Sequence, residues 1–313
     1  VLNIYHYEPM KEVPDADKQH LVKGVQGNIW CEWIPSRERM HYMAAPRMLA
    51  IAELGWSAND RKDWADFQVR MADQFGRLNV MDVQYRIPAL EGFMKNNVFI
   101  GEKKVEITCL DPSASIHYTT DGSIPTLESP KYDGNLVLTE TTDLTLRVFR
   151  PTDKRSDIVK THFEKTEYSP ATTAAPSNPG LKATWYDFKG KTCAEIAAAP
   201  VKKTYRVEDV TIPKGVKSFI IGLTYKGYIN IPEDGIYSFY LSSDDGSMLY
   251  IDGKQVIDND GLHAPGEVTG QAALKQGYHP IEVQYFDHGG GSINLKVCDN
   301  NGKEMPFTYL YAH

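Results

Sequence analysis

Cysteine is scarce in this chain: four in 313 residues, at Cys31, Cys109, Cys193 and Cys298. None lies at metal-ligand spacing from another, which excludes zinc ribbons and disulfide-dense scaffolds. Cys31 and Cys109 fall in different segments and read as buried thiols. Cys193 and Cys298 fall in one segment, and a disulfide between them stays open. Long apolar runs are also absent, so no transmembrane segment is expected. No secretory leader is visible, and an internal start would hide one. No block of Lys and Arg appears, and the formal net charge is −7. A nucleic-acid or phosphate-binding role is therefore not expected. What remains is ordinary for globular protein, with 42% hydrophobic and 24% charged residues. The length suggests two or three domains.

The most informative stretch is Gly24-Val25-Gln26-Gly27-Asn28-Ile29-Trp30-Cys31-Glu32. It reads as a short buried strand. Residues i and i+2 of a strand share a face, which places Trp30 beside Glu32. An indole covers the apolar C–H face of a sugar ring, and a carboxylate takes hydroxyl protons. The plainer alternative is a core Trp with an exposed or ion-paired Glu as its neighbour.

The flanking residues add to the sugar reading. Tyr5-His6-Tyr7-Glu8-Pro9 lies upstream, and Pro46-Arg47-Met48-Leu49-Ala50-Ile51-Ala52-Glu53 lies downstream. Together these segments resemble the end of the catalytic barrel of glycoside hydrolase family 20, the β-N-acetylhexosaminidases. The family pattern is Tyr-x-Tyr-Glu-Pro, then Gly-x-Gln-x-x-x-Trp-x-Glu, then Pro-Arg-x-x-Ala-x-Ala-Glu. The resemblance implies the C-terminal part of a (β/α)₈ TIM barrel over residues 1–95, with the active site at the C-terminal ends of the strands. It implies that Trp30 walls the pocket for the terminal sugar and that Glu32 accepts from its C4 and C6 hydroxyls. The implied reaction is exo-hydrolysis of terminal N-acetylglucosamine or N-acetylgalactosamine from a glycan. Catalysis is retaining and substrate-assisted, with the acetamido oxygen as nucleophile and no catalytic cofactor. The family's catalytic Asp-Glu pair sits in a His-x-Gly-x-Asp-Glu motif, which this chain lacks. A whole barrel takes about 250 residues. The chain therefore reads as the C-terminal portion of a longer enzyme, expected to be inactive alone. Export to the periplasm or cell surface is implied by the family only.

In this first segment, Ser36 reads as a helix N-cap and Pro46 as the first residue of the next helix, with Gly55 as its stop. Trp64, Phe67, Met71, Phe75 and Leu78 form an amphipathic stripe of packing residues. Residues 96–167 then alternate as half-buried strands do, at Val105-Glu106-Ile107-Thr108 and Leu144–Val148. Tyr118-Thr119-Thr120-Asp121-Gly122-Ser123-Ile124-Pro125-Thr126 resembles the mark of the Ig-like sandwich found at the C-terminus of chitobiases and hexosaminidases. Residues 168–180, rich in Pro, Ser, Thr and Ala, read as a linker.

Residues 181–313 are all-β by pattern, and Asp252-Gly253 marks a two-residue hairpin. Gly235-Ile236-Tyr237-Ser238-Phe239-Tyr240-Leu241-Ser242-Ser243-Asp244-Asp245-Gly246-Ser247 resembles the anthrax protective antigen domain, a β-sandwich module of glycosidases, toxins and adhesins. In adhesin members, two consecutive Asp residues joined by a cis peptide hold Ca²⁺, which bridges to sugar hydroxyls. The resemblance thus points to Asp244 and Asp245 as a calcium and glycan site. Asp258, Asn259, Asp260 and Asp287 would add oxygens if loops bring them near. The alternative is that Asp-Asp-Gly is only a turn. His263 and His288 lie in Gly-containing loops and are not read as ligands. Three roles stay open for the two sandwiches and the barrel segment: catalytic part, carbohydrate-binding module, or bracing structure.

Overall fold

The structure, a computed structural model, describes residues 1–311 except 152–153, 174–175, 217–218, 300 and 307–308. The chain forms two compact units. One comprises residues 1–92, 105–136 and 144–160, and the other 93–104, 137–143 and 161–313. Residues 96–167 are thus shared between the two.

The first unit is helical up to residue 89. Helix α1 (Arg37–Ala44) starts where expected: Ser36 caps it by accepting from Arg39 N at 3.2 Å. Helix α2 (Arg47–Trp56) has Pro46 at its N-cap, one position before the place expected. Gly55 does not stop it. The helix runs through Trp56, and Ser57 N closes on Glu53 O at 2.8 Å. Helix α3 (Trp64–Val80) is capped by Asp63, which accepts from Asp66 N. Its apolar stripe faces inward, and Phe67, Met71 and Phe75 are buried against Tyr5, Ala45, Ala50 and Tyr85. Each such side chain contributes about 1.5–3 kcal/mol by leaving water.

The expected strand at 24–32 does not form. Residues 22–30 carry no regular structure, and Cys31–Trp33 is a single 3₁₀ turn. Among the described residues, no strand precedes Leu90. The segment expected as part of a barrel therefore holds helices and turns but, among the described residues, no strand. A parallel barrel strand satisfies its N–H and C=O groups through neighbours on both sides, and none flanks this segment here. Gly27 lies close under the tip of the Ile51 side chain. A Cβ there would come within 2.4 Å of Ile51 Cδ1.

Beyond residue 89, Ser115–Thr119 runs antiparallel to Thr142–Phe149, with Ser115 opposite Phe149 and Thr119 opposite Thr145. Val105 and Ile107 are buried as their alternation requires, but they lie between short strands rather than in one. At the expected turn, Gly122 takes a φ of 81° and Asp121 Oδ1 accepts from Ser123 N and Oγ.

The second unit is dominated by a β-sandwich. Its strands are β1 (Leu181–Tyr186), β2 (Val201–Val207), β3 (Ile221–Ile231), β4 (Gly235–Ser243), β5 (Ser247–Ile251), β6 (Lys254–Asn259), β7 (Gly266–Leu274), β8 (Gly277–Asp287) and β9 (Ile293–Cys298). The larger sheet has the order β2-β1-β3-β8-β5-β6, and the smaller β7-β4-β9. Their inner faces enclose a core that includes Leu223, Tyr225, Phe239, Leu241, Leu249, Val283 and Tyr285. The β5–β6 hairpin turns on Asp252 and Gly253 with φ of 52° and 74°, the positive values a type I′ turn demands.

The segment expected as a linker is tied to this sandwich. Ser169 N donates to Ala273 O, Lys275 N donates to Ser169 O, and Thr172 N donates to Tyr278 O. Ala174 and Ala175 lie outside the described residues. Cys193 and Cys298 are both buried free thiols, so the disulfide left open between them does not form. Cys109 is a free, half-buried thiol, and burial pushes its pKa up. Among the described residues, no helix is long and apolar enough to cross a membrane.

Candidate functional site

Trp30 and Glu32 lie in the first unit on the irregular segment that ends in the 3₁₀ turn. Trp30 is 73% exposed, and Glu32 is exposed. They are not held side by side on a strand face. Trp33 and Trp56 are exposed as well. Glu53, from the downstream helix motif, has a different position. It is buried and takes a two-pronged ion pair from Arg70, with Nη1 to Oε2 at 3.0 Å and Nη2 to Oε1 at 2.8 Å. Ser57 Oγ adds a third bond at 3.0 Å. The Arg70 hydrogen bonds hold the Glu53 pKa below the usual carboxylate range. Glu53 thus fastens α2 to α3, a role the sequence reading did not assign. Its one signal was a carboxylate amid apolar residues of an amphipathic helix.

In the second unit, Asp244, Asp245 and Asp287 each offer a carboxylate oxygen, and these oxygens lie within 4.8 Å of one another. Asp244–Asp245 is joined by a cis peptide bond, as the adhesin resemblance implied. The loop before β5 positions this pair: Asp244 N donates to Ser292 O at 3.0 Å, and Tyr285 Oη donates to Asp244 O at 2.8 Å. Asp287 ends β8 and is 1% exposed. Its Oδ1 accepts from Gly289 N, and its Oδ2 from Gly290 N and Gly291 N. Gly291 must be glycine, because a Cβ there would lie 2.2 Å from Asp244 O. Asp245 accepts from His263 N on one oxygen and His288 N on the other, both at 3.0 Å.

Of the extra carboxylates anticipated, only Asp287 joins the pair among the described residues. Asp260 Oδ1 is spent on Cys193 N and Gly261 N, and Asp258 Oδ1 on Asp260 N. Asn259 Nδ2 donates to Ser243 Oγ. His263 turns its ring nitrogens to the carbonyls of Ala264 and Asn259, away from the carboxylates. The donor set suits Ca²⁺, a hard cation that takes several oxygens. A carboxylate has about four acceptor positions. Asp245 and Asp287 therefore keep free lone pairs, and the Asp244 carboxylate accepts no hydrogen bond among the described residues.

Comparison with known proteins gives three family matches. The model of the glycosyl hydrolase family 20 catalytic domain matches residues 1–59. The Fn3 associated family matches residues 105–163, and the PA14 domain matches residues 177–309. A β-hexosaminidase of Porphyromonas gingivalis is 32% identical over 295 residues, covering 90% of this chain and 37% of that protein. A β-hexosaminidase of Vibrio vulnificus is 27% identical over 139 residues, covering 34% of this chain and 16% of that protein. The chain thus spans little more than a third of the Porphyromonas relative's length. Among solved structures, a PA14 sugar-binding domain from an RTX adhesin superposes with a TM-score of 0.39 at 18% identity, covering 44% of this chain and 100% of that one.

Proposed function

We propose that this chain is part of an exo-β-N-acetylhexosaminidase that removes terminal N-acetylglucosamine or N-acetylgalactosamine from glycans. The observation that carries this is the family 20 match over residues 1–59, joined to 32% identity with a β-hexosaminidase across 90% of the chain. In this reading Trp30 stacks on the terminal sugar and Glu32 accepts from its hydroxyls. The other barrel strands would cover the tryptophans that this unit leaves exposed. The general acid and the residue orienting the acetamido group lie outside these residues. Purified chain should give no turnover of p-nitrophenyl N-acetyl-β-glucosaminide, whereas the full-length protein should hydrolyse it. Clear turnover by the chain alone would overturn the assignment of roles. Residues 1–95 would be the barrel part, 96–167 an Ig-like domain, 168–180 a linker and 181–313 the sandwich module, on an exported protein.

A second reading concerns the sandwich, and the three converging carboxylates favour it. Asp244, Asp245 and Asp287 would hold Ca²⁺, and the ion would accept two sugar hydroxyls as further ligands. The module would then keep glycan near the barrel and raise its local concentration. Calorimetric titration of the chain with calcium tests this. The reading expects saturable heat that Asp244→Asn removes, and no heat at millimolar Ca²⁺ would end it.

A further inference from the structure

The outer face of the larger sheet is covered at one end and open at the other. At the covered end, Phe188, Cys193 and Ile196 pack over Met248 and Phe286. At the open end lies a cleft of about 440 Å³ whose lining includes Lys182, Lys226, Tyr228, Tyr250, Glu282 and Gln284. Strand alternation puts all six on one face, because Leu249, Ile251, Tyr225, Ile229, Ile281 and Val283 between them are buried in the core. The register aligns them further. Lys182, Lys226, Glu282 and Tyr250 form one continuous row across β1, β3, β8 and β5. Tyr228 stands in the next row, opposite Pro280.

The polar centre of this row is held in place. Glu282 Oε2 pairs with Lys226 Nζ at 3.0 Å, and its Oε1 accepts from Gln284 Nε2 at 2.9 Å. Each oxygen keeps capacity to accept a further hydrogen bond. Two half-buried tyrosines flank it on β3 and β5, with β8 between them. Two strand spacings set them roughly 10 Å apart across the sheet. Phenol rings on either side of an oriented carboxylate, ammonium and amide suit a ligand with apolar C–H faces and many hydroxyls. The strands' own N–H groups are committed to the ladders, so the cleft has no backbone cradle for a phosphate.

We propose that this cleft is a metal-independent binding site for a neutral oligosaccharide of two or three units. The sugars would stack on Tyr228 and Tyr250 and give hydroxyl bonds to Glu282, Lys226 and Gln284. It is distinct from the Asp244–Asp245 loop. Four residues lie between Asp245 and Tyr250, and five extended steps span roughly 16 Å. The choice of an N-acetylated amino sugar as first probe rests on the hexosaminidase reading, but the cleft itself does not.

The test is an amide NMR titration of the whole chain with tri-N-acetylchitotriose, and separately with cellotriose, in excess EDTA. Shifts should centre on residues 228, 250, 282 and 284. Tyr228→Ala and Tyr250→Ala should each weaken binding by at least about tenfold, with the sandwich still folded. Glu282→Gln serves as a second variant that keeps the shape of the side chain, and it should weaken binding too. Asp244→Asn should leave the affinity as it is. Binding of cellotriose alone would sustain the cleft and reject the amino-sugar preference. Absence of shifts with both sugars at millimolar concentration would overturn the proposal. So would shifts that persist in both tyrosine variants, or binding that EDTA abolishes.

Discussion

His279 is held between Asp252 and the backbone so that both of its ring nitrogens meet acceptors. Nδ1 lies 2.8 Å from Asp252 Oδ2, and Nε2 lies 2.8 Å from Lys275 O. A carboxylate and a carbonyl only accept, so both bonds form together when the ring is an imidazolium. Asp252 is also the first residue of the type I′ turn, and its N–H donates to Pro280 O. The pair thus fixes the β5–β6 hairpin against β8.

This pair has a pH consequence. The ring is fully buried (0% exposed). Burial alone would lower its pKa, but the bonds to Asp252 and to the Lys275 carbonyl outweigh it and raise the pKa. A histidine with a raised folded pKa stabilises fully below its unfolded value near 6.5, and the contribution is lost as pH rises through the folded value. Sandwich stability measured by denaturant melts from pH 5 to 9 should therefore fall on the alkaline side. His279→Gln should flatten that dependence. A His279→Gln profile that declines like the wild type would locate the effect elsewhere.

Glu53 and Arg70 predict the opposite trend in the first unit. The Glu53 pKa is depressed, so its contribution is present above the unfolded carboxylate value and lost as pH falls through the folded one. Arg70→Ala leaves a buried carboxylate with only Ser57 as partner. A loss of about 1.5–3 kcal/mol is expected for that charged hydrogen-bond pair. Thermal melts followed by helical circular dichroism should show a lower Tm, whereas Arg70→Lys should recover only part of it, since Lys cannot make both prongs.

Asp287 organises the calcium candidate from behind. Asp287→Ala would leave the N–H groups of Gly289, Gly290 and Gly291 without their acceptor, so the loop beside Asp244 should lose order as well as one ligand. Loss of Ca²⁺ heat together with a lower sandwich Tm is expected. Gly291→Ala should act similarly, because the added Cβ collides with Asp244 O. Asp244→Asn should remove the Ca²⁺ heat while sparing Tm, since that carboxylate accepts no hydrogen bond among the described residues.

Which features were legible in the sequence follows from the range of the forces involved. The α3 stripe, the Ser36 cap and the Asp252-Gly253 hairpin depend on neighbours a few residues apart, and all three stand where the pattern put them. The 24–32 strand failed because a parallel strand is made by its neighbours, which no local pattern contains. Residues 168–180 lack apolar periodicity yet are held on the sandwich by backbone bonds from Ser169 and Thr172, and backbone bonding leaves no side-chain signature. At the acidic site, the adjacent Asp244 and Asp245 stood out as a motif. Asp287 was one of several candidates, and only the fold separates it from Asp258 and Asp260.

Glu32 as a ligand of the terminal sugar is the central proposal. The direct measurement is kcat/KM of the full-length protein on p-nitrophenyl N-acetyl-β-glucosaminide, for wild type and Glu32→Ala. Loss of a charged partner to a buried hydroxyl costs about 1.5–3 kcal/mol, so a fall of roughly ten- to a hundredfold is predicted. An unchanged kcat/KM in that variant would contradict the account.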